Sequence, residues 1–137
     1  MGDVNTIELI KLAVIDDIRG NLAFLQNDNL PFELKRVYYL YDVPSSASRG
    51  GHSHKEQNEI LIALSGSFEV IVNDGTTKKT FFLNKPNLGL YIKPGIWREL
   101  ENFSSGAVCL VIASDVFEEE DYIREYDEFL KDRKSVV

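Results

Sequence analysis

Phe68-Glu-Val-Ile-Val-Asn-Asp-Gly-Thr-Thr-Lys-Lys-Thr-Phe-Phe-Leu83 sets two runs of β-forming residues on either side of an Asp-Gly pair. Val, Ile and Phe pack well on a pleated surface, and Asp-Gly supplies the positive-φ corner of a tight connection. The stretch predicts a β-hairpin with arms at 68–72 and 78–83. Working outward, the same texture recurs at 7–12, 22–25, 32–43, 59–64, 88–92, 96–100 and 107–112, punctuated by turns such as Asn27-Asp-Asn-Leu-Pro31, Asn84-Lys-Pro-Asn87 and Lys93-Pro-Gly95. Short strands at such close spacing predict an all-β sandwich or barrel rather than a parallel α/β sheet. Residues 22–25 are expected to return on 7–12 as a hairpin. Beyond residue 114, Tyr122, Tyr126 and Leu130 recur at i, i+4 and i+8, which predicts one amphipathic C-terminal helix across 115–130. Its acidic start and its basic end at Lys131, Arg133 and Lys134 complement the helix dipole.

A chain of 137 residues with 44% hydrophobic residues is expected to form a single domain, 1–137, with a real core. Fifteen basic against twenty-two acidic residues give a net charge of −7, which argues against nucleic acid or an anionic membrane as partner. An anionic ligand would need a local basic cluster. The single cysteine, Cys109, lies in an apolar run and reads as a buried hydrophobe with no disulfide partner, in keeping with a cytoplasmic setting. No apolar run approaches the roughly 18 residues of a membrane span.

The chemistry concentrates in Arg49-Gly-Gly-His-Ser-His-Lys55. His52 and His54 are the only histidines, and at i and i+2 on an extended backbone both rings point to one face. Imidazole takes and gives protons near neutral pH, so a convergent pair suits proton relay or metal ligation. On the aromatic-rich strand expected at 32–43, Arg36, Tyr38 and Leu40 share one face, and Val37, Tyr39 and Tyr41 the other. Periodicity alone leaves open which face lines a cavity.

Gly51-His-Ser-His54 with Glu59 and Gly66 downstream resembles the first motif of the cupin superfamily, and Pro94-Gly95 with its flanks the second. That resemblance implies a jelly-roll antiparallel β-barrel. Where metal-dependent cupins carry a further histidine in the second motif, this chain has Arg98, and strict alternation puts Glu59 on the face opposite His52 unless a bulge intervenes. A metal-free site without cofactor is therefore expected. More narrowly, Arg36-Val-Tyr-Tyr39, Arg49 to Lys55, Gly89-Leu-Tyr91, Pro94-Gly-Ile-Trp97, Asn102-Phe-Ser104 and Asp121-Tyr-Ile-Arg-Glu-Tyr-Asp127 resemble the nucleotide-sugar 3,4-ketoisomerases. Those enzymes move the keto group of dTDP-4-dehydro-6-deoxy-D-glucose from C4 to C3, ahead of transamination to a 3-amino-3,6-dideoxyhexose for surface glycans such as lipopolysaccharide.

The resemblance implies His52 as base at C3, His54 as proton shuttle, and Tyr38 as hydrogen-bond donor to the oxyanion. It further implies a homodimer with exchanged N-terminal strands. Arg49 and Arg98 are the candidates for the diphosphate and Trp97 for a ligand ring, while Arg19 and Arg98 are candidate determinants of configuration at C4. Two other readings remain open, a non-catalytic sugar- or effector-binding cupin and a related nucleotide-sugar epimerase.

Overall fold

The computed structural model describes residues 2–135. Their strand-forming runs give β1 (Glu8–Lys11), β2 (Ala13–Ile15), β3 (Leu22–Phe24), β4 (Arg36–Leu40), β5 (Arg49–His54), β6 (Glu59–Ser65), β7 (Phe68–Asn73), β8 (Lys78–Leu83), β9 (Leu88–Ile92), β10 (Trp97–Glu101), β11 (Val108–Ala113) and β12 (Tyr122–Ile123), and helix α1 (Tyr126–Ser135) follows. Every strand pairing is antiparallel. The pairings build two five-stranded sheets, β1-β9-β6-β11-β4 and β12-β5-β10-β7-β8, and a separate ribbon, β2-β3. Among the described residues no hydrogen-bonded ladder joins one large sheet to the other. The all-β class with one C-terminal helix thus agrees with the sequence, and its layers are two facing antiparallel sheets.

Alternation explains the layers. Leu61, Val70, Val72, Leu90, Ile92, Leu100 and Val111 point between the sheets and, with Phe68 and Phe103, form the central core. The intervening Ile60, Ile62 and Ile112 point to the far side of their sheet, where Leu25, Leu30, Phe32 and Leu34 cover them. Burial on both faces is why Ile60-Leu-Ile-Ala63 is continuously apolar. The outer face of the second sheet carries Trp97, which packs with Ile123 and with Phe129 of α1.

Three expectations change. Residues 22–24 pair with 13–15, not with 7–12, because β1 is committed to β9 and the Leu12 amide donates to Asn87 O at 2.9 Å. The strand expected at 32–43 is confined to 36–40. Before it, the Leu34 amide turns to Asn27 Oδ1, and after it Asp42 takes a φ of 56°. The helix begins only at Tyr126; residues 119–121 form a 3₁₀ turn, and Tyr122 and Ile123 pair with His54 and Ser53 on the open edge of β5. There, backbone hydrogen bonding overrode the i, i+4 pattern. Fraying is expected from sequence at Ser135 and beyond; residue 135 is the last of α1, and residues 136 and 137 lie outside the described residues.

The β6–β7 turn depends on Gly66, whose φ is +64° and whose added Cβ would collide with Ser104 Oγ and meet the Ala107 Cα at 2.9 Å. Left-handed backbone is disfavoured for L-residues by roughly 1–2 kcal/mol, and overpacking adds about 1–3 kcal/mol. Gly66→Ala should therefore lower unfolding stability by about 2–5 kcal/mol in urea titration. Gly20→Ala, at φ +127° but with nothing within 4 Å of the added Cβ, should carry backbone strain without the overpacking part of the cost.

Candidate active site

Between β5 and β10 of one sheet and β4, β6 and β11 of the other lies a cavity of about 450 Å³. Its polar wall is Tyr38, Arg49, His52, Glu59, Arg98, Tyr122 and Arg124; Leu40, Leu61, Leu100 and Val111 supply the apolar part. The open question of the β4 strand is answered by burial. Tyr38 and Leu40 point inward, whereas Tyr39 and Tyr41 are 60% and 62% exposed.

The two glycines before the histidines shape this wall. On β5 and β10, His52 pairs with Arg98 and Arg49 with Leu100, so β5 carries one residue more than β10 between the two pairs. Gly50, at φ +75°, takes up the extra residue as a β-bulge. Without it, alternation would send Arg49 to the face opposite His52; with it, both line the cavity.

The His52 and His54 rings share a face as expected, with their Nε2 atoms 3.1 Å apart and the rings edge to face. They are not equivalent. His52 is part of the cavity wall, whereas His54 is fully buried behind it. His54 donates from Nδ1 to Asp121 Oδ2 at 2.9 Å, and its Nε2 is 3.4 Å from Glu59 Oε2. Burial first, then the positive charge of Arg98, pushes the His52 pKa down to about 3. His52 is thus a neutral imidazole at neutral pH, with a free ring nitrogen as base. Tyr122 packs against both rings, at centroid distances of 5.1 and 4.4 Å.

Opposite them, Glu59 is buried and fully partnered. Arg98 Nη1 donates to its Oε1, and Tyr38 Oη and Gln57 Nε2 donate to its Oε2 at 2.7 and 2.8 Å. Burial alone would raise this carboxyl, but Arg98 and the hydrogen bonds outweigh it and hold the pKa below the ordinary glutamate value. The expectation that Glu59 faces away from His52 fails, because the two stand on strands of different sheets that look at each other, where alternation along one strand does not apply. The donor atoms of His52, His54 and Glu59 gather within 4.8 Å. A divalent cation there would have to displace the Arg98 guanidinium and then face its charge, so this donor set does not fit a metal.

The remaining candidates separate. Arg98 is buried on the cavity wall, held by Glu59 and by the Ile96 carbonyl at 3.1 Å, so it is not a free grip for a diphosphate. Trp97, one residue before it, must face the other way; it packs against Tyr126 and Phe129 and does not reach the cavity. The single proton of Tyr38 goes to Glu59, and burial together with that carboxylate raises its pKa, so towards the cavity it offers an acceptor oxygen rather than the expected oxyanion donor. Arg19 sits at the ribbon tip, paired with Asp17 at 2.8 Å, and does not line its own chain's cavity. Arg124, Asp121 and Tyr122 were missed as site residues because their segment reads as helix. Arg124 lines the cavity with its guanidinium 4.3 Å over the Tyr122 ring and donates to Glu119 at 2.7 and 2.8 Å.

Known proteins share this arrangement of sequence and fold. The TDP-4-oxo-6-deoxy-alpha-D-glucose-3,4-oxoisomerase of Aneurinibacillus thermoaerophilus is 44% identical over 125 residues, which cover 90% of each chain. A 3,4-ketoisomerase from Helicobacter canadensis superposes with a TM-score of 0.91 at 45% identity, covering 94% of this chain and 98% of the other. A histidine-to-asparagine variant of the 3,4-ketoisomerase from Thermoanaerobacterium thermosaccharolyticum, solved with TDP-4-keto-6-deoxyglucose, gives a TM-score of 0.91 at 40% identity, with 94% of each chain covered. A family model described as WxcM-like, C-terminal, matches residues 5–134, and the chain belongs to that family, the family of the sugar 3,4-ketoisomerases.

Proposed function

We propose that this 3,4-ketoisomerase acts on dTDP-4-dehydro-6-deoxy-D-glucose, moving the keto group from C4 to C3 through an enediolate without a metal. The observation that carries the reading is the 3.1 Å contact between the two histidines, one on the cavity wall and one buried behind it. The C4 carbonyl acidifies the C3 hydrogen. His52 takes that proton, the C3–H electrons form the C3–C4 double bond, and the carbonyl electrons move to O4. Protonation at O4, loss of the O3 proton and reprotonation at C4 then leave a carbonyl at C3. Hydrogens only change place within the sugar, so no redox partner is consumed.

Arg98 places a fixed positive charge on the cavity wall beside His52, which favours the enediolate over the neutral ketone. The diphosphate falls to Arg49 and Arg124, the two guanidinium groups on the more open part of the wall. A 3-keto product is set up for transamination at C3, which is how a 3-amino-3,6-dideoxyhexose would arise.

The working unit in this reading is a homodimer. Support comes from the exposed Ile15, Ile18 and Leu22 of the β2-β3 ribbon, from Val37 and Tyr39 on edge strand β4 and from Tyr41 just beyond it. β1 pairs with β9 of its own chain, so the ribbon beyond it is the part free to be exchanged. Exchange is also the route by which Arg19 would reach a cavity.

Three results are expected. Wild-type protein in deuterated water should wash deuterium into C3 of the 4-keto sugar, and His52→Asn should lower kcat by about 10²-fold or more with little change in nucleotide affinity. If His52→Asn isomerises at the wild-type rate, the effector-binding reading becomes the better one. Arg49→Ala should instead raise KM about tenfold or more at nearly constant kcat, because it removes a charge-assisted contact to phosphate. Light scattering at micromolar concentration should report a dimer, and a monomer there contradicts the assembly.

A further inference from the structure

Asp121 is held more tightly than a solvated acidic residue needs to be. Its Oδ1 accepts the Glu56 amide at 2.7 Å, and its Oδ2 accepts the Gln57 amide at 3.3 Å and the His54 Nδ1–H at 2.9 Å. Its own carbonyl takes the Lys55 amide at 3.0 Å. The carboxylate is thereby fixed against the segment that leaves β5, with one oxygen aimed at the buried imidazole.

The consequence is chemical. A carboxylate only accepts, so the His54 proton facing it sits on Nδ1. In the neutral ring Nε2 is then bare, and it looks at His52 Nε2 across 3.1 Å, with Gln57 Nε2 donating from 3.4 Å. His52, for its part, must present Nε2–H to His54 and keep Nδ1 as its free base. When His52 takes the C3 proton at Nδ1, it can hand its Nε2 proton to His54 Nε2 and stay neutral, as its depressed pKa requires. The positive charge then rests on His54, between Asp121 on one side and Glu59 on the other.

We infer that Asp121 is a positioning residue that holds His54 as the Nδ1–H tautomer and so makes His54 the store for the proton that His52 takes from the sugar. This rests on the isomerase reading above and deepens it. The arrangement follows a rule general to carboxylate–imidazole pairs, in which the carboxylate sets tautomer and orientation without taking the proton itself.

The test combines tautomer and rate. ¹⁵N NMR of histidine-labelled protein, simple to assign with two histidines in the chain, should show wild-type His54 protonated at Nδ1 and bare at Nε2. Asp121→Asn keeps an acceptor for the Glu56 amide but can turn its NH₂ to His54. It should shift His54 to the Nε2–H form and lower kcat roughly 10²-fold, with KM within about threefold and the thermal midpoint retained. Wild-type His54 carrying its proton on Nε2 overturns the inference even if the variant fails to fold. A folded Asp121→Asn protein that exchanges C3–H at the wild-type rate overturns it too, while leaving the isomerase reading intact. A wild-type protein that exchanges no C3 hydrogen would instead remove the isomerase reading, and the role of Asp121 with it.

Discussion

The bond between Arg98 and Glu59 is the contact on which the rest of the site depends. It joins β10 of one sheet to β6 of the other, and both side chains are almost wholly removed from water. Burying two charges is not in itself stabilising, because desolvation roughly cancels their attraction, and well-packed apolar replacements are often as good. What the pair supplies is a fixed field. Each Glu59 oxygen has a named donor and the Arg98 guanidinium returns to the Ile96 carbonyl, so neither charge can turn to find water without breaking several partners. Removing one member would leave an uncompensated buried charge, an effect of about 3–5 kcal/mol.

That field sorts the neighbouring groups into roles. Arg98 helps keep His52 neutral, and Glu59 helps keep the Tyr38 hydroxyl protonated. Glu59 also gives His54 a second carboxylate besides Asp121. Two hydrogen-bonded imidazoles would otherwise be interchangeable. Here one is open to the cavity and close to a cation, and the other is closed off and flanked by anions. The asymmetry comes from charges on β6, β10 and the turn before β12 rather than from the histidines themselves.

The sequence was most legible where a local rule met no tertiary competitor. The arms of the 68–83 hairpin fall within a residue of expectation, because Asp-Gly and the β-formers leave little choice. The shared face of His52 and His54 follows from a period of two. Trp97 and Arg98 could never have faced the same way, but deciding which one points inward requires Glu59, which lies 39 residues away. The 115–130 segment shows the opposite limit. Tyr122, Tyr126 and Leu130 do have helical spacing, yet the edge of β5 offered backbone partners to residues 121–123, and the strand won. For that reason Asp121 reads from sequence as one more acidic residue at the start of the expected helix. The one local hint was Tyr122-Ile123, a pair of β-formers interrupting the acidic run.

The same edge pairing explains why the histidine strand is built as Arg-Gly-Gly-His-Ser-His. β5 lies between β10 and β12, and it must satisfy both ladders while presenting Arg49, His52 and His54 to one side. A regular strand can hold His52 and His54 together but excludes Arg49, an odd number of residues away. The bulge at Gly50 resolves the conflict, and it needs glycine twice over: φ is +75°, and a Cβ would come within 3.0 Å of Leu100 Cδ1. On the other edge, Tyr122 is set opposite His54 and lays its ring against both imidazoles, while its hydroxyl accepts from Arg36 at 3.1 Å. A bulge on one side and a two-residue strand on the other thus turn an ordinary β-strand into a wall that carries Arg49, His52 and His54 in order along its length.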